Sequence, residues 1–550
     1  MKEIIRKFAL KNALDYGKAS SGNIVGKLIA EVPDAKVDMK ATMKAINEVV
    51  TEVNKLSKEE IEKELVGQTF FKKEEKEKKW VLPGVENGVV TRFSPEPNGY
   101  SHIGHAKAAF ISLELARQYD GKCIMHWDDT NPEAEKQEFV DAIREGMNWL
   151  GCEFAEEKYT SDHMPEIYAF AEQMINQGDC YVCFCKKEEI AENRMKKKAC
   201  KCRASTKEEN LDNWKQMRSS LGEGDAILRL KADLTSDNTV MRDPTLFRIL
   251  LTKHYRQGLI YRAWPNYDFA ISIADSLDGV THTLRSKEYE LRDELYYYLL
   301  DRLKLRKPFV YDFSRLNLQG TQLSKRFIKP LIEEKKVNGW DDPRLPTLFG
   351  LRRRGIQPEA IKKFVLSFGL SKVESNPSWD ALFSENKKLL EAKAEHFFAV
   401  TEPVKLKVKN APEKSIQIPF KHSKEMRVLD FAGEAYLSKE DAEKLVKGEV
   451  IRLKDCFNVK ITSLNPLEGE FAGDGLVEKK LQWVPVQEAN TFYLVKLDHL
   501  LVGDEFNSNS WTETNAAGEI ALKTARKGEV VQLERIGFAT NDGEKFLLTH

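Results

Sequence analysis

"VVTRFSPEPNGYSHIGHAKAAFISLELARQY" (residues 89–119) joins a β-branched run, a loop rich in proline and glycine, and an apolar pattern with the period of a helix. A second strand pattern, "KCIMHW" (122–127), and a second helix pattern, "EKQEFVDAIREGMNWL" (135–150), follow it. Strands that alternate with helices predict a parallel sheet covered by helices. In such folds ligands bind beyond the carboxyl ends of the strands, and this is where the loop 94–101 is expected to lie.

Two histidines stand at the predicted start of the first helix. His102 and His105 are three residues apart and therefore share one face of the first turn, and Ser101 is the predicted N-cap. A helix N-terminus offers unpaired N–H groups to an anion, and imidazoles can donate to phosphate oxygens. Gly104 would let a ribose or a flat ring approach the backbone. The alternative is a pair of histidines that only cap and pack.

Length and composition exclude several classes of protein. The 550 residues require several domains, and 86 basic residues balance 86 acidic ones, so a nucleic acid would have to bind a local basic face. No apolar run approaches the roughly 18–20 residues that span a bilayer. The first twenty residues show no secretory pattern. These features predict a cytoplasmic protein without membrane contact.

Five of the eight cysteines fall between residues 180 and 202. Cys183 and Cys185 form one close pair, and Cys200 and Cys202 form another. Four thiolates at this spacing predict a structural zinc site, with no open coordination position for chemistry. Cys180 is an alternative ligand that could replace one of the four.

A second polar motif lies in "GTQLSKRFIKP" (320–330), where Ser324, Lys325 and Arg326 follow a glycine. A loop with these side chains can close over a triphosphate and stabilise the departing pyrophosphate. Alone, the motif is more typical of a solvated loop.

Taken together, "HIGH" (102–105) and "LSKR" (323–326) resemble the two signature motifs of class I aminoacyl-tRNA synthetases. The second is similar to the KMSKS motif in the form used by the glutamyl and glutaminyl branch, with Gln322 in place of the first lysine. The strings "DDTNPEAEK" (128–136), "YDFAISIADSLDGVTHTLRSKEYELRDELY" (267–296), "GWDDPRLPTLFGLRRRGI" (339–356) and "VVQLERIGF" (530–538) extend the resemblance from about residue 88 to the C-terminus. The β-rich C-terminal part resembles that of the archaeal and eukaryotic glutamyl enzymes and of all glutaminyl enzymes, whereas bacterial glutamyl enzymes have a helical anticodon domain.

The resemblance implies an α/β multidomain fold with a Rossmann-type doubly wound catalytic core. Its expected parts are an N-terminal helical domain with a charged linker (1–85), the first half of the core (86–180), an inserted acceptor-stem-binding region with a zinc knuckle (181–255), the second half with the KMSKS-like loop (256–330), a helical connector (331–396), and β-barrel anticodon-binding domains (397–550).

The resemblance also implies roles for individual residues. His102, His105 and Lys325 are the expected catalytic residues, and Gly104, Ser324 and Arg326 are expected to bind ATP. The residues expected to hold the amino acid are Arg92, Glu96, Asp128, Tyr267 and Arg285.

Arg285 decides between the two amino acids of this branch. Glutamyl enzymes resemble this chain in having arginine there, whereas glutaminyl enzymes have a small uncharged residue. A buried guanidinium pairs with the substrate carboxylate but is left unpaired by an amide. The alternative is that Arg285 only forms a surface salt bridge with Glu288 or Glu290.

The expected reaction is the ATP-dependent attachment of glutamate to tRNA(Glu) through a glutamyl-adenylate intermediate, by a monomer that uses ATP with Mg²⁺. If tRNA(Gln) is charged as well, an amidotransferase becomes an expected partner. A glutaminyl-tRNA synthetase, a smaller nucleotidyltransferase and a non-catalytic zinc-bearing RNA-binding protein remain alternatives.

Overall fold

The computed structural model describes residues 2–16, 18–65, 80–321 and 325–550. The chain divides into two compact units, residues 1–79 and 80–550. In the described chain no helix combines the length and the apolar character that crossing a membrane requires.

The first unit is helical. Its core consists of apolar residues such as Ile5, Leu28 and Ile46, which recur with helical spacing. Asp38 caps the third helix by accepting a hydrogen bond from the N–H of Ala41 at 2.9 Å. The helices are α1 (Lys2–Tyr16), α2 (Ser21–Glu31), α3 (Met39–Val53) and α4 (Lys58–Leu65).

The second unit begins with a region in which strands alternate with helices. The strands that are described up to residue 313 are β1 (Val90–Phe93), β2 (Lys122–Trp127), β3 (Glu157–Tyr159), β4 (Cys180–Cys183), β5 (Ile227–Leu230), β6 (Thr245–Ile249), β7 (Ala263–Pro265), β8 (His282–Ser286) and β9 (Phe309–Phe313). The accompanying helices are α5 (Ile103–Gln118), α6 (Gln137–Trp149), α7 (Met164–Gln177), α8 (Lys187–Met195), α9 (Lys207–Ser219), α10 (Tyr267–Leu277) and α11 (Asp293–Leu303).

Five of these strands form one parallel sheet in the order β3-β2-β1-β8-β9. The predicted parallel sheet is thereby confirmed. The strand order reverses between β1 and β8, and in open sheets of this kind the ligand crevice lies at such a point, beyond the carboxyl ends of the strands. The two motifs and the predicted substrate residues are expected to meet at this point.

Side chains that alternate along β1 point to opposite faces of the sheet. The Thr91 hydroxyl donates to the carbonyl of Ser112 in α5, whereas Arg92 reaches Asp275 in α10 on the other face. On β8, Thr283 bonds the same Asp275 and the Arg285 guanidinium lies over the ring of Tyr296 in α11. Arg92 and Arg285 therefore share the face covered by α10 and α11.

The insert between β3 and β8 contains its own antiparallel sheet, β4-β5-β6-β7. Trp214 of α9, Phe247 of β6 and Trp264 of β7 are fully buried in its core. The strands of this sheet extend from Cys180 to Pro265, and the sequence-derived domain boundaries stay predictions.

Four helices follow β9: α12 (Lys325–Glu333), α13 (Leu348–Arg353), α14 (Pro358–Ser367) and α15 (Trp379–Leu390). The C-terminal part is mainly β structure, with one further helix, α16 (Lys439–Glu443), among the described residues. Its strands are β10 (His396–Phe397), β11 (Ala399–Thr401), β12 (Val404–Lys409), β13 (Lys414–Pro419), β14 (Met426–Phe431), β15 (Glu434–Leu437), β16 (Val450–Leu453), β17 (Asn458–Leu464), β18 (Leu467–Phe471), β19 (Lys480–Leu481), β20 (Val484–Pro485), β21 (Asn490–Leu497), β22 (Leu501–Val502), β23 (Glu505–Phe506), β24 (Trp511–Gly518), β25 (Val530–Leu533), β26 (Gly537–Asn541) and β27 (Lys545–Leu548).

These strands form two seven-stranded barrel-like sheets, β19-β16-β17-β18-β12-β15-β20 and β10-β25-β26-β27-β21-β24-β11, together with two small hairpins. Each sheet has its own apolar core, as the alternation of apolar and polar residues along the strands predicts.

Candidate active site

Helix α5 starts one residue later than the sequence suggests. His102, and not Ser101, is the N-cap: its Nδ1 accepts a hydrogen bond from the N–H of Gly104 at 3.1 Å. The N–H of His102 donates in turn to Nδ1 of His105 at 3.1 Å, which completes a capping box. The Ser101 hydroxyl is buried and has no hydrogen-bond partner in the described part of the chain.

These two hydrogen bonds fix the tautomers of both histidines. Because each Nδ1 accepts from a backbone N–H, the proton of each neutral ring lies on Nε2. Burial lowers the pKa of His105 to about 4, and burial together with His105 and Arg315 lowers the pKa of His102 well below its ordinary value. Both rings, whose centres are 4.0 Å apart, are therefore neutral donors through Nε2–H at neutral pH.

A cavity of about 180 Å³ lies against the two histidines. Glu96, Arg315 and Ile328 also line it. Ile328 belongs to α12, so the helix that begins at Lys325 reaches the first motif. Arg326 is exposed on the first turn of α12, while Gln322, Leu323, Ser324 and the side chain of Lys325 lie outside the described residues.

Arg92 is buried and forms a two-point ion pair with Asp275: Nε donates at 2.6 Å and Nη2 at 3.1 Å. Asp275 also accepts from the hydroxyls of Thr283 at 3.2 Å and Tyr296 at 3.0 Å. Burial alone would raise the pKa of Asp275, but the Arg92 guanidinium holds this pKa below its ordinary value. Arg92 is thus fixed in place, and Nη1 is the nitrogen that it can offer to a ligand.

Asp275 was not singled out in the sequence analysis. The signal that could have revealed it is a carboxylate inside the apolar helical run "FAISIADSL" (269–277), since a buried charge requires a partner.

Arg285 has a side chain that is only 2% exposed. Its guanidinium carbon lies 4.3 Å from the centre of the Tyr296 ring, and Nη2 is 3.6 Å from Oδ1 of Asp293, too far for a hydrogen bond. Within the described residues, Nε and Nη2 of Arg285 are buried without a hydrogen-bond partner. Two buried donors of a cation that lack acceptors within the described chain are suited to a ligand with acceptor oxygens.

The alternative role of Arg285, a surface salt bridge with Glu288 or Glu290, is not found. Glu288 accepts instead from Arg315 at 2.5 Å, and Glu290 accepts from Lys372 at 2.8 Å. The chain carries these two glutamates away from the sheet in a short helical turn after β8.

A cluster of carboxyl groups lies at the ends of β1 and β2. Burial and the neighbouring Glu96 and Asp129 carboxyls raise the pKa of Asp128 to about 8. Asp129, by contrast, is bound by the N–H and the hydroxyl of Ser161, both at 2.8 Å. Asp129 is therefore structural, whereas Asp128, which lies beside Glu96 and is mostly protonated at neutral pH, would be ionised by an ammonium group placed next to it.

Tyr267 begins α10 on the same face of the sheet as the two arginines. Its ring centre is 5.0 Å from that of Tyr289. Arg285 and Arg92 act electrostatically on the Tyr267 hydroxyl, whose pKa burial raises. The predicted substrate residues are thus brought to one end of the sheet.

The four predicted cysteine ligands form a second cluster in the insert. The sulfur atoms of Cys183, Cys185, Cys200 and Cys202 all lie within 4.8 Å of one another, with 3.8 Å between Cys183 and Cys200. Tetrahedral Zn–S bonds of about 2.3 Å place sulfur atoms about 3.8 Å apart, so the donor set fits a metal ion. The alternative ligand, Cys180, packs into the apolar core of the insert instead.

Comparisons with known proteins agree with this architecture. Residues 88–392 match the family model for the catalytic domain of class I tRNA synthetases (E and Q), and residues 394–473 and 480–542 match its two anticodon-binding domain models. Glutamate–tRNA ligases of Nitrosopumilus maritimus and Cenarchaeum symbiosum are 44% and 38% identical to this chain; the matches cover 100% and 99% of it and 99% and 98% of the relatives.

A crystal structure of a glutamate tRNA ligase from Elizabethkingia meningosepticum in complex with its amino acid is also similar, with 19% identity and a TM-score of 0.43 over 56% of this chain and 70% of that one. With the family model covering more than half of the chain and relatives matching nearly all of it, this chain belongs to the class I tRNA synthetases of the glutamate and glutamine branch.

Proposed function

We propose that the crevice between β1 and β8 binds glutamate beside ATP, and that Arg285 reads the glutamate side chain. The chain is a glutamate–tRNA ligase, since relatives with this name match it over nearly its whole length. The observation that carries the proposed binding mode is the buried Arg285 guanidinium, because within the described chain its Nε and Nη2 have no acceptor.

Glutamate presents one cationic and two anionic groups, and the side chains at the carboxyl ends of β1, β2 and β8 offer a complement to each. The α-ammonium would lie near Asp128 and Glu96, where its charge would favour the ionised form of Asp128. The side-chain carboxylate would bind Arg285, with Tyr267 above it. Nη1 of Arg92, which the pair with Asp275 leaves available, would orient the α-carboxylate.

The first step then follows from this arrangement. An oxygen of the α-carboxylate attacks the α-phosphate of ATP, the bond to the β-phosphate breaks, and pyrophosphate leaves with its Mg²⁺. Charge accumulates on the phosphate oxygens, to which Nε2–H of His102 and His105 can donate. Lys325, with Ser324, Arg326 and the backbone at Gly104, would hold the triphosphate.

In the second step a terminal ribose hydroxyl of the tRNA attacks the acyl carbon and AMP leaves. The insert with its cysteine cluster would hold the acceptor stem, and the two C-terminal sheets would read the anticodon. A cytoplasmic location agrees with this role in protein synthesis.

The direct test is aminoacylation by the purified chain with glutamate or glutamine, each offered tRNA(Glu) and tRNA(Gln). We expect glutamate on tRNA(Glu) and no transfer of glutamine. Glutamate on both tRNAs would show a nondiscriminating enzyme whose product requires an amidotransferase. Transfer of glutamine with refusal of glutamate would contradict the role of Arg285. Lys325→Ala is the control for catalysis, because it should abolish charging while tRNA binding persists.

We also propose that the cysteine cluster holds one structural Zn²⁺. Four sulfur ligands leave no open position, so the ion would stabilise the insert only. Metal analysis should give one zinc per chain, and Cys183→Ser should lower this content and reduce Tm. Cys180→Ala is the matched control, because Cys180 is a buried thiol of the same strand and should leave the zinc content unchanged. Equal zinc in both variants would contradict the assignment.

A further inference from the structure

The side chains that hold Arg285 come from one turn of α11. Asp293 and Tyr296 are three residues apart and therefore lie on the same face of the helix. The Tyr296 ring lies beneath the guanidinium at 4.3 Å, and Oδ1 of Asp293 lies 3.6 Å from Nη2 at its edge. Tyr296 is in turn fixed by its hydroxyl, which donates to Asp275 at 3.0 Å.

Asp293 attracts the Arg285 guanidinium electrostatically but accepts no hydrogen bond from it. Asp312, the neighbour of Arg285 across β8 and β9, lies beside Asp293 and is held by Lys372 at 3.1 Å. Burial and the Asp312 carboxyl raise the pKa of Asp293 to about 6. Oδ1 of Asp293 and Oδ1 of Asp312 are both buried without a hydrogen-bond partner in the described chain.

This arrangement keeps the guanidinium oriented but leaves its hydrogens free. A counter-charge in direct hydrogen-bond contact would occupy the N–H groups that the substrate needs. At 3.6 Å the attraction persists, since Coulomb energy falls only slowly with distance, whereas the hydrogen bond is lost.

From these contacts we infer that Asp293 and Tyr296 are positioning residues, which hold Arg285 so that its free N–H groups read the side-chain carboxylate of glutamate. The inference rests on the proposed binding of glutamate by Arg285. It makes Asp293 a residue that determines specificity although it does not touch the substrate.

The test is the kinetics of aminoacylation by the full-length Asp293→Asn enzyme. We expect KM for glutamate to rise about tenfold, because a charged partner of Arg285 is lost. Because Arg285 is proposed to bind only the side-chain carboxylate of glutamate and not the reacting groups, kcat should change less than about twofold. The inhibition constant of glutamine, which lacks this carboxylate, should also change less than about twofold. Asp293→Ser is a second replacement that suits the first turn of a helix. Asp301→Asn is the matched control, an exposed aspartate of the same helix that pairs with Lys307.

A double-mutant cycle separates the role of Asp293 from the proposed binding of glutamate by Arg285. In an Arg285→Gln background, Asp293→Asn should cause no further rise in KM, because its effect passes through Arg285. If Arg285→Gln raises KM but Asp293→Asn does not, or if the two effects simply add, the inference about Asp293 is overturned. If Arg285→Gln itself leaves KM unchanged, the proposed binding mode fails as well.

Discussion

Arg285→Gln is expected to lower kcat/KM for glutamate about 10²- to 10³-fold, since the substrate carboxylate would lose its buried cationic partner. The loss should lie mainly in KM, because Arg285 binds a part of the substrate that does not react. The inhibition constant of glutamine should rise far less than KM for glutamate, or should fall, because this variant has no buried charge that a bound amide would leave unpaired. Steady-state aminoacylation with glutamine as inhibitor measures both effects.

Two further variants test whether the effect is specific to the guanidinium at position 285. Arg285→Lys keeps the charge but loses the two-point geometry of the guanidinium, so we expect an intermediate loss. Arg302→Gln removes a half-exposed arginine of α11 that pairs with Asp179 at 3.5 Å, and it should change nothing in the kinetics. Unchanged KM for glutamate in Arg285→Gln would show that another residue reads the side chain.

The features that could be predicted from the sequence are those with a short-range signal. The parallel sheet follows from the alternation of β-branched runs and helical patterns. Arg92 belongs to the first β-branched run, so its position near the end of β1 follows as well. The common position of His102 and His105 follows from their spacing of three. The clustering of four sulfur atoms likewise follows from the two close pairs, Cys183 with Cys185 and Cys200 with Cys202.

The features that could not be predicted depend on long-range contacts. Arg92 and Asp275 are 183 residues apart, and only the strand order of the sheet brings them together. The start of α5 differs from the prediction because serine is the more usual N-cap, while here Nδ1 of His102 accepts a hydrogen bond from the N–H of Gly104. No pattern on α11 distinguishes Asp293 from the helix's exposed acidic residues.

His102→Asn is expected to lower kcat about 10²- to 10³-fold, the usual cost of removing one donor to developing negative charge. The amide oxygen of asparagine can replace Nδ1 as the acceptor for the N–H of Gly104, so the helix start should persist with Tm nearly unchanged. What the variant lacks is Nε2–H. The measurement is kcat for aminoacylation beside the thermal unfolding curve.

The same substitution at His105 tests the second ring, whose Nδ1 accepts the N–H of His102. His102→Gln should retain more activity than His102→Asn, because its longer side chain can place an N–H near the position of Nε2. Ser101→Ala is the control, since this buried hydroxyl makes no hydrogen bond to the described residues. Asparagine keeps the capping acceptor and removes only Nε2–H, so a loss of kcat without a loss of Tm would assign donation to phosphate to His102. If His102→Asn instead lowers Tm together with kcat, or keeps the full kcat, the role of His102 is to cap the helix.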